Sequence, residues 1–209
     1  MEISTRNLEG LPDVVRLRRL LQSMAMLDAV LMPEWQYRYY SFNAQWDQGE
    51  MMGSMRNGSG DEFFALFNVD GAFLKGFDHE SAAAAIPSRH FYRDLPAQFE
   101  PCTREPAFSP DDVTFCVWRL IDQSQWSRSR VALFAGVADG SADILSMLDG
   151  VPETYRAWAK EYYERDIPLG AIESLYEHQR LTEKLVVTLN PRQSLERLNS
   201  EIIEIGYAV

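Results

Sequence analysis

Residues 62–77 read Glu62-Phe63-Phe64-Ala65-Leu66-Phe67-Asn68-Val69-Asp70-Gly71-Ala72-Phe73-Leu74-Lys75-Gly76-Phe77. Two apolar, aromatic-rich runs, Glu62–Phe67 and Ala72–Phe77, flank Asn68-Val69-Asp70-Gly71. There Asp-Gly supplies a turn and the glycine is free to take positive φ. This pattern predicts a β-hairpin. The preceding Asn57-Gly58-Ser59-Gly60 reads as a flexible lead-in loop. Antiparallel pairing of the two runs brings Asp61 and Asp78 to the same end of the hairpin.

Upstream, Pro12-Asp13 opens a helix, because proline suits a first turn and an acid there complements the macrodipole. Leu17, Leu20, Leu21, Met24, Leu27 and Leu31 recur at helical spacing and give one broad apolar face, which Pro33 ends. Arg16, Arg18 and Arg19 read as its solvated side. From Trp35 to Trp46 an aromatic run predicts a strand, covered on both faces because aromatics fall at both parities.

Downstream, residues 87–110 hold Pro87, Pro96, Pro101, Pro106 and Pro110 and predict an irregular connection with one short helix near Phe91. Val113–Ile121 predicts a buried strand with Cys116 as core filler. After Asp139-Gly140 the pattern turns helical. Ser141 caps a short helix ended by Gly150, and Pro152 starts a better one with Tyr155, Trp158, Ala159 and Tyr162 on one stripe. A helix over 171–179 follows, residues 182–189 suit either helix or strand with helix preferred, and Asn190-Pro191-Arg192-Gln193 resembles a capping box that opens the last helix. The expected class is α+β: an N-terminal helix, a small antiparallel sheet with a β-hairpin, and a helical C-terminal part, in one domain over 1–209.

Lys plus Arg (20) against Asp plus Glu (31) leaves a net charge of −11. A surface of that sign repels phosphate backbones and anionic lipid and attracts a basic protein partner, so neither nucleic acid nor membrane is expected. The apolar stretch from Val14 to Met32 is interrupted by Arg16, Arg18, Arg19, Gln22 and Asp28 and does not suit a bilayer span. Met1-Glu2-Ile3-Ser4-Thr5-Arg6 shows no charged-then-apolar leader, and Cys102 and Cys116 suit no disulfide framework. A cytoplasmic location is the expectation.

Asp78-His79-Glu80-Ser81 is the most chemically loaded stretch. In an extended segment Asp78 and Glu80 converge while His79 faces away. With Asp61 and Glu62 from the facing loop they form an acidic site suited to a hydrolase or a metal-dependent enzyme. His90 and His178 are the other imidazoles and neither lies at ligand spacing from His79, so no metal and no cofactor are predicted. Gly58-Ser59-Gly60-Asp61-Glu62 lacks the lysine and the helix of a phosphate loop, and no G-x-S-x-G elbow exists. Trp46-Asp47-Gln48-Gly49-Glu50 reads as the exposed acidic edge of a region rich in aromatics and methionine (Trp35, Tyr37, Tyr39, Met51, Met52, Met55). That composition suits a core, an adaptable interface or a homo-oligomer contact. The binding residues expected from these loops are Trp46, Asp47, Asp61, Glu62, Asp78, His79 and Glu80.

Tyr39-Tyr40-Ser41-Phe42-Asn43, Ser59-Gly60-Asp61-Glu62-Phe63-Phe64, Gly76-Phe77-Asp78-His79-Glu80 and Pro152-Glu153-Thr154-Tyr155 resemble segments of a group of bacterial proteins without an assigned activity. The resemblance covers most of the chain. It implies a bacterial, cytosolic protein and transfers no catalytic residue. The functional expectation is therefore a non-enzymatic protein-binding protein, with neutralisation of a bacterial toxin, as by an immunity protein, its sharpest form.

Overall fold

The computed structural model describes residues 2–131, 133 and 137–209. Six strands, β1 (Tyr40–Asp47), β2 (Glu50–Arg56), β3 (Glu62–Asn68), β4 (Gly71–Phe77), β5 (Phe115–Leu120) and β6 (Ser127–Arg128), form one antiparallel sheet whose spatial order follows the chain. Asn68 pairs with Gly71, so Val69 and Asp70 alone make the predicted hairpin turn. The positive φ falls on Gly71, at 142°, where a Cβ would come within 2.1 Å of the Arg119 carbonyl oxygen. A side chain there would collide with the neighbouring strand.

Strands β2 and β6 are not announced by the sequence. Glu50-Met51-Met52-Gly53-Ser54-Met55-Arg56 has no β-branched residue, and it extends because β1 and β3 present ladders on either side. At β1 the expectation is partly corrected. Trp35–Tyr37 form an exposed 3-10 turn, and the strand begins only at Tyr40. Its buried side chains, Tyr40 and Phe42, lie on one face, while Ser41 and Asn43 are only half-buried.

Among the described residues six α-helices accompany the sheet: α1 (Val14–Leu31), α2 (Ser141–Leu145), α3 (Pro152–Tyr162), α4 (Leu169–Tyr176), α5 (Glu183–Leu189) and α6 (Asn199–Ile205). Asp13 caps α1 by accepting from the Arg16 N–H at 2.9 Å. From Leu20 to Leu31 every residue of α1 is buried, including Gln22, Ser23 and Asp28. It packs against β1 and β2 on one side and α4, α5 and α6 on the other, so it is a central helix and not a one-faced one. Ser23 donates to the Leu175 carbonyl (2.6 Å) and Gln22 to that of Ile205 (2.9 Å), which meets the demand of polar groups in such a position. The predicted capping box is also corrected. Asn190 ends α5, where its amide donates to the Val30 carbonyl at 2.8 Å, and α6 begins only at Asn199.

The sheet is covered on both faces. Phe63, Ala65, Phe67, Leu74, Phe115 and Val117 face the helices. Phe64, Leu66, Phe73, Cys116 and Trp118 face the irregular segment, which contributes Ala83, Phe91, Phe99, Cys102 and Phe108. That segment carries short 3-10 turns at Ala82–Ala85, Ser88–His90, Ala97–Arg104 and Pro106–Phe108. Double coverage explains why β5 is apolar at both parities. Cys102 and Cys116 are free and buried, and burial pushes the Cys102 thiol up to about 12 and that of Cys116 well above its ordinary value. Neither is a nucleophile in that state. Among the described residues no helix is long and apolar enough to cross a membrane.

Candidate functional site

The antiparallel register brings the loop between β2 and β3 against the segment that leaves β4, as the hairpin predicts. Asn57 organises the loop: its carbonyl oxygen accepts from the Ser59 and Asp61 N–H groups at 2.8 and 3.0 Å. Its amide donates to Asp61 Oδ2 at 2.6 Å. The other Asp61 oxygen lies 2.7 Å from His79 Nδ1 and accepts from the His79 N–H at 3.1 Å. Residues 78–81 turn instead of extending, so His79 faces Asp61 while Glu80 points into solvent, its side chain 85% exposed. The expected convergence of Asp78 with Glu80 is replaced by that of Asp61, Asp78 and His79. Each offers one ligand atom within 4.8 Å of the others.

Asp78 has structural work as well. Its Oδ1 accepts from the N–H groups of Glu80 (2.9 Å) and Ser81 (3.1 Å), and its own N–H donates to Thr114 Oγ1 at 3.1 Å. It also lies against Gly140, whose φ is 77° and whose Cβ, if present, would meet that of Asp78 at 2.2 Å. The hydrogen bond to Asp61 holds the exposed His79 imidazole above its ordinary value. For Asp61, partial burial is the largest single influence and acts upward. The hydrogen bonds from His79 and Asn57 outweigh it and leave the carboxyl below its usual range.

An aromatic ladder adjoins this rim. Tyr39 lies 4.7 Å from Trp158 and 5.5 Å from Tyr162, ring centre to ring centre, and Trp158 stacks on Tyr162 at 5.1 Å. The Tyr162 hydroxyl donates to the Tyr37 carbonyl at 3.1 Å. Tyr37 is 55% exposed, Trp35 59% and Tyr162 40%. The Arg56 N–H donates to the Tyr39 carbonyl at 2.9 Å, so Tyr39 stands where the loop carrying Asp61 begins, and burial pushes its hydroxyl up to about 12. The ladder is positioned from below. Asp28 Oδ2 accepts from the N–H groups of Tyr39 (2.9 Å) and Tyr40 (2.8 Å), and Oδ1 accepts from the Tyr155 hydroxyl at 2.6 Å. Burial raises the Asp28 carboxyl to about 6 against these hydrogen bonds.

The seven residues expected to bind do not form one surface. Asp61, Asp78, His79 and Glu80 share the rim. Glu62 instead reaches Lys75 Nζ at 3.6 Å and Arg56 Nε at 3.8 Å. Trp46 and Asp47 lie at the far end of β2, a strand of seven residues, or about 20 Å away at the usual rise. There Trp46 stacks on Phe108 at 5.8 Å and lines a separate cleft of about 380 Å³ with Asp47, Glu50 and Glu105. The ladder residues Trp158 and Tyr162 were read as an ordinary core stripe, and Asp28 only as an interruption of an apolar run. The one available signal was an acid amid an otherwise apolar helical stretch. No protein-family model, curated protein or solved structure matches the chain.

Proposed function

We propose that this chain is a non-enzymatic protein-binding protein that grips a basic partner with the aromatic ladder and the acidic rim. The observation that carries the reading is the exposure of Tyr162 in the ladder with Tyr39, which stands at the Asp61 end of the sheet, and of Trp35 and Tyr37 just before Tyr39 in the chain. Large aromatics half open to solvent are the side chains that dominate interface energetics. Their faces suit Arg and Lys side chains, and neighbouring carboxylates suit the same cations. The net charge of −11 would steer such a partner from a distance. A partner whose own activity depends on its basic surface would be neutralised by this contact, which is the toxin-neutralising form of the proposal. The test compares partners captured by the wild-type chain and by Tyr37→Ala/Tyr162→Ala, followed by salt titration of the purified pair. A basic partner lost by the variant and bound more slowly at high salt supports the reading. Capture that is indifferent to both the variant and salt overturns it.

A second reading, a metal-dependent hydrolase, is favoured by one observation, the convergence of Asp61, Asp78 and His79. Calorimetric titration with Zn²⁺ and Mn²⁺, with His79→Ala as control, separates the two. Stoichiometric binding abolished by the substitution would favour the enzyme.

A further inference from the structure

Among the described residues, five of the 17 arginines make ion pairs with acids: Arg16, Arg38, Arg56, Arg104 and Arg156. Acids outnumber basic residues 31 to 20, so partners are in surplus. The other twelve make no ion pair among the described residues, and four of these twelve are gathered in one place. Arg6, Arg119, Arg128 and Arg130 line one cleft of about 660 Å³ between the N-terminal segment and the β6 edge, with Glu9 the single acid among its walls. None of the four makes an ion pair among the described residues, and the residues outside that description (Met1, Ala132, Phe134, Ala135, Gly136) carry no acidic side chain. Asp94, at the margin, accepts from the backbone N–H of Arg130 at 3.3 Å.

Guanidinium groups stay charged at every accessible pH, so four around one concavity, three of them exposed, make it favourable to an anion. The walls are also partly set in advance. Arg6 donates to the Val137 carbonyl (3.1 Å), Arg119 to that of Gln123 (2.9 Å) and Arg128 to that of Ser129 (3.4 Å), and each fork has further N–H groups without a partner among the described residues. The buried Trp126 closes one side, its indole N–H donating to the Pro12 carbonyl at 2.7 Å. No rim residue lines this cleft, so it is independent of the protein-binding surface.

We infer that the cleft is a binding site for a small oligoanion carrying two or more phosphoryl groups. Its volume falls in the range of small-molecule sites. The planar forks match phosphoryl oxygens two at a time. A phosphoryl chain concentrates more negative charge in a short length than a single carboxylate, in proportion to four arginines against one glutamate. Long nucleic acid is disfavoured by the −11 of the whole chain, whereas a small ligand inside the cleft feels chiefly the charges within about a Debye length, about 10 Å.

The test is isothermal titration of the full chain with tripolyphosphate at low salt, with citrate and heparin as comparison anions. Variants are Arg128→Gln, Arg130→Gln, Arg128→Lys and, as a control outside the cleft, the exposed Arg180→Gln, each checked for an unchanged melting temperature. One tripolyphosphate per chain is expected, weakened roughly tenfold by either Gln variant. Arg128→Lys should be weakened less, and Arg180→Gln not at all. Absence of binding, equal binding by Arg128→Gln and Arg130→Gln, citrate binding as tight as tripolyphosphate, or binding confined to heparin each overturns the inference.

Discussion

Asp28 and Lys75 lie on opposite sides of the sheet, 0% and 1% exposed, and each is surrounded by hydrogen-bond partners of a different kind. On the helical side Asp28 receives donors from the start of β1 and from α3, so one carboxylate ties α1, β1 and α3 together. On the irregular side Lys75 donates to the carbonyls of Ser109 (2.9 Å) and Asp112, with Glu62 nearby. The contrast follows from the covering layers. Among the helices the buried donors Gln22, Ser23 and Asn190 reach carbonyls at helix ends, where no helical N–H meets them, while Asp28 gathers a hydroxyl and free strand N–H groups. The proline-rich cover has few internal ladders, so it is held by a donor reaching out of the sheet. Burial opposes both charges, raising Asp28 to about 6 and lowering Lys75 to about 8.

The largest effect is expected from Asp28→Leu, which leaves two N–H groups and the Tyr155 hydroxyl without an acceptor. Urea unfolding at neutral pH should show a loss on the order of 3–5 kcal/mol. Asp28→Asn keeps an acceptor and should lose much less. Because the folded pKa of Asp28 lies above its ordinary 3.8, the folded state retains the proton longer, and this group lowers wild-type stability as pH rises from about 4 to about 6. The Asn variant lacks that slope, and a wild-type-minus-Asn difference that stays flat across the window would refute the assignment.

Lys75→Met should cost less, about 2–3 kcal/mol, since the freed carbonyls lie in a loop that water can reach. The sign of its pH term is opposite in position. A folded pKa of about 8 against 10.5 means the folded state binds fewer protons, so this group raises wild-type stability as pH climbs from about 8 to about 10.5. The Met variant should lack the rise. Hydrogen exchange in the variant should quicken at residues 109–112 while α1 stays protected; equal quickening on both sides would break the proposed division of labour.

At the rim, where the two covers meet, Gly140→Ala forces a side chain onto a residue with φ of 77° and into Asp78. A loss of about 1–3 kcal/mol by thermal unfolding is expected, with a shifted His79 resonance. A stability change without movement of His79 would separate the glycine from the rim.

The smallest change belongs to His79→Ala and is read across pH. His79, raised, contributes fully below about 6.5, and the contribution is lost as pH rises through its folded pKa. Asp61, lowered, contributes fully above about 3.8, and its share is lost as pH falls through its folded pKa. The wild-type-minus-variant difference should therefore peak between those values and shrink on either side. A monotonic difference would dissolve the pair.

The hairpin at Asp70-Gly71, the strand around Cys116 and the helices at Pro12-Asp13 and Pro152 were legible in the sequence, because each rests on local chemistry: a turn that needs glycine, a cap that needs an acid, an apolar period. The α+β class and the shared position of Asp61 and Asp78 follow from the same signals, since register fixes which ends of a hairpin meet. Strand β2 was not legible, because a methionine-rich segment with a glycine extends only when neighbours offer ladders on both sides. Nor was the division of Trp46 and Asp47 from the rim, which depends on that strand. The sequence alone determined which segments fold locally and how much charge the chain carries. The tertiary structure decided which charges are buried, paired or left facing one another across a cleft, because burial and Coulomb energy depend on neighbours brought together from distant parts of the chain.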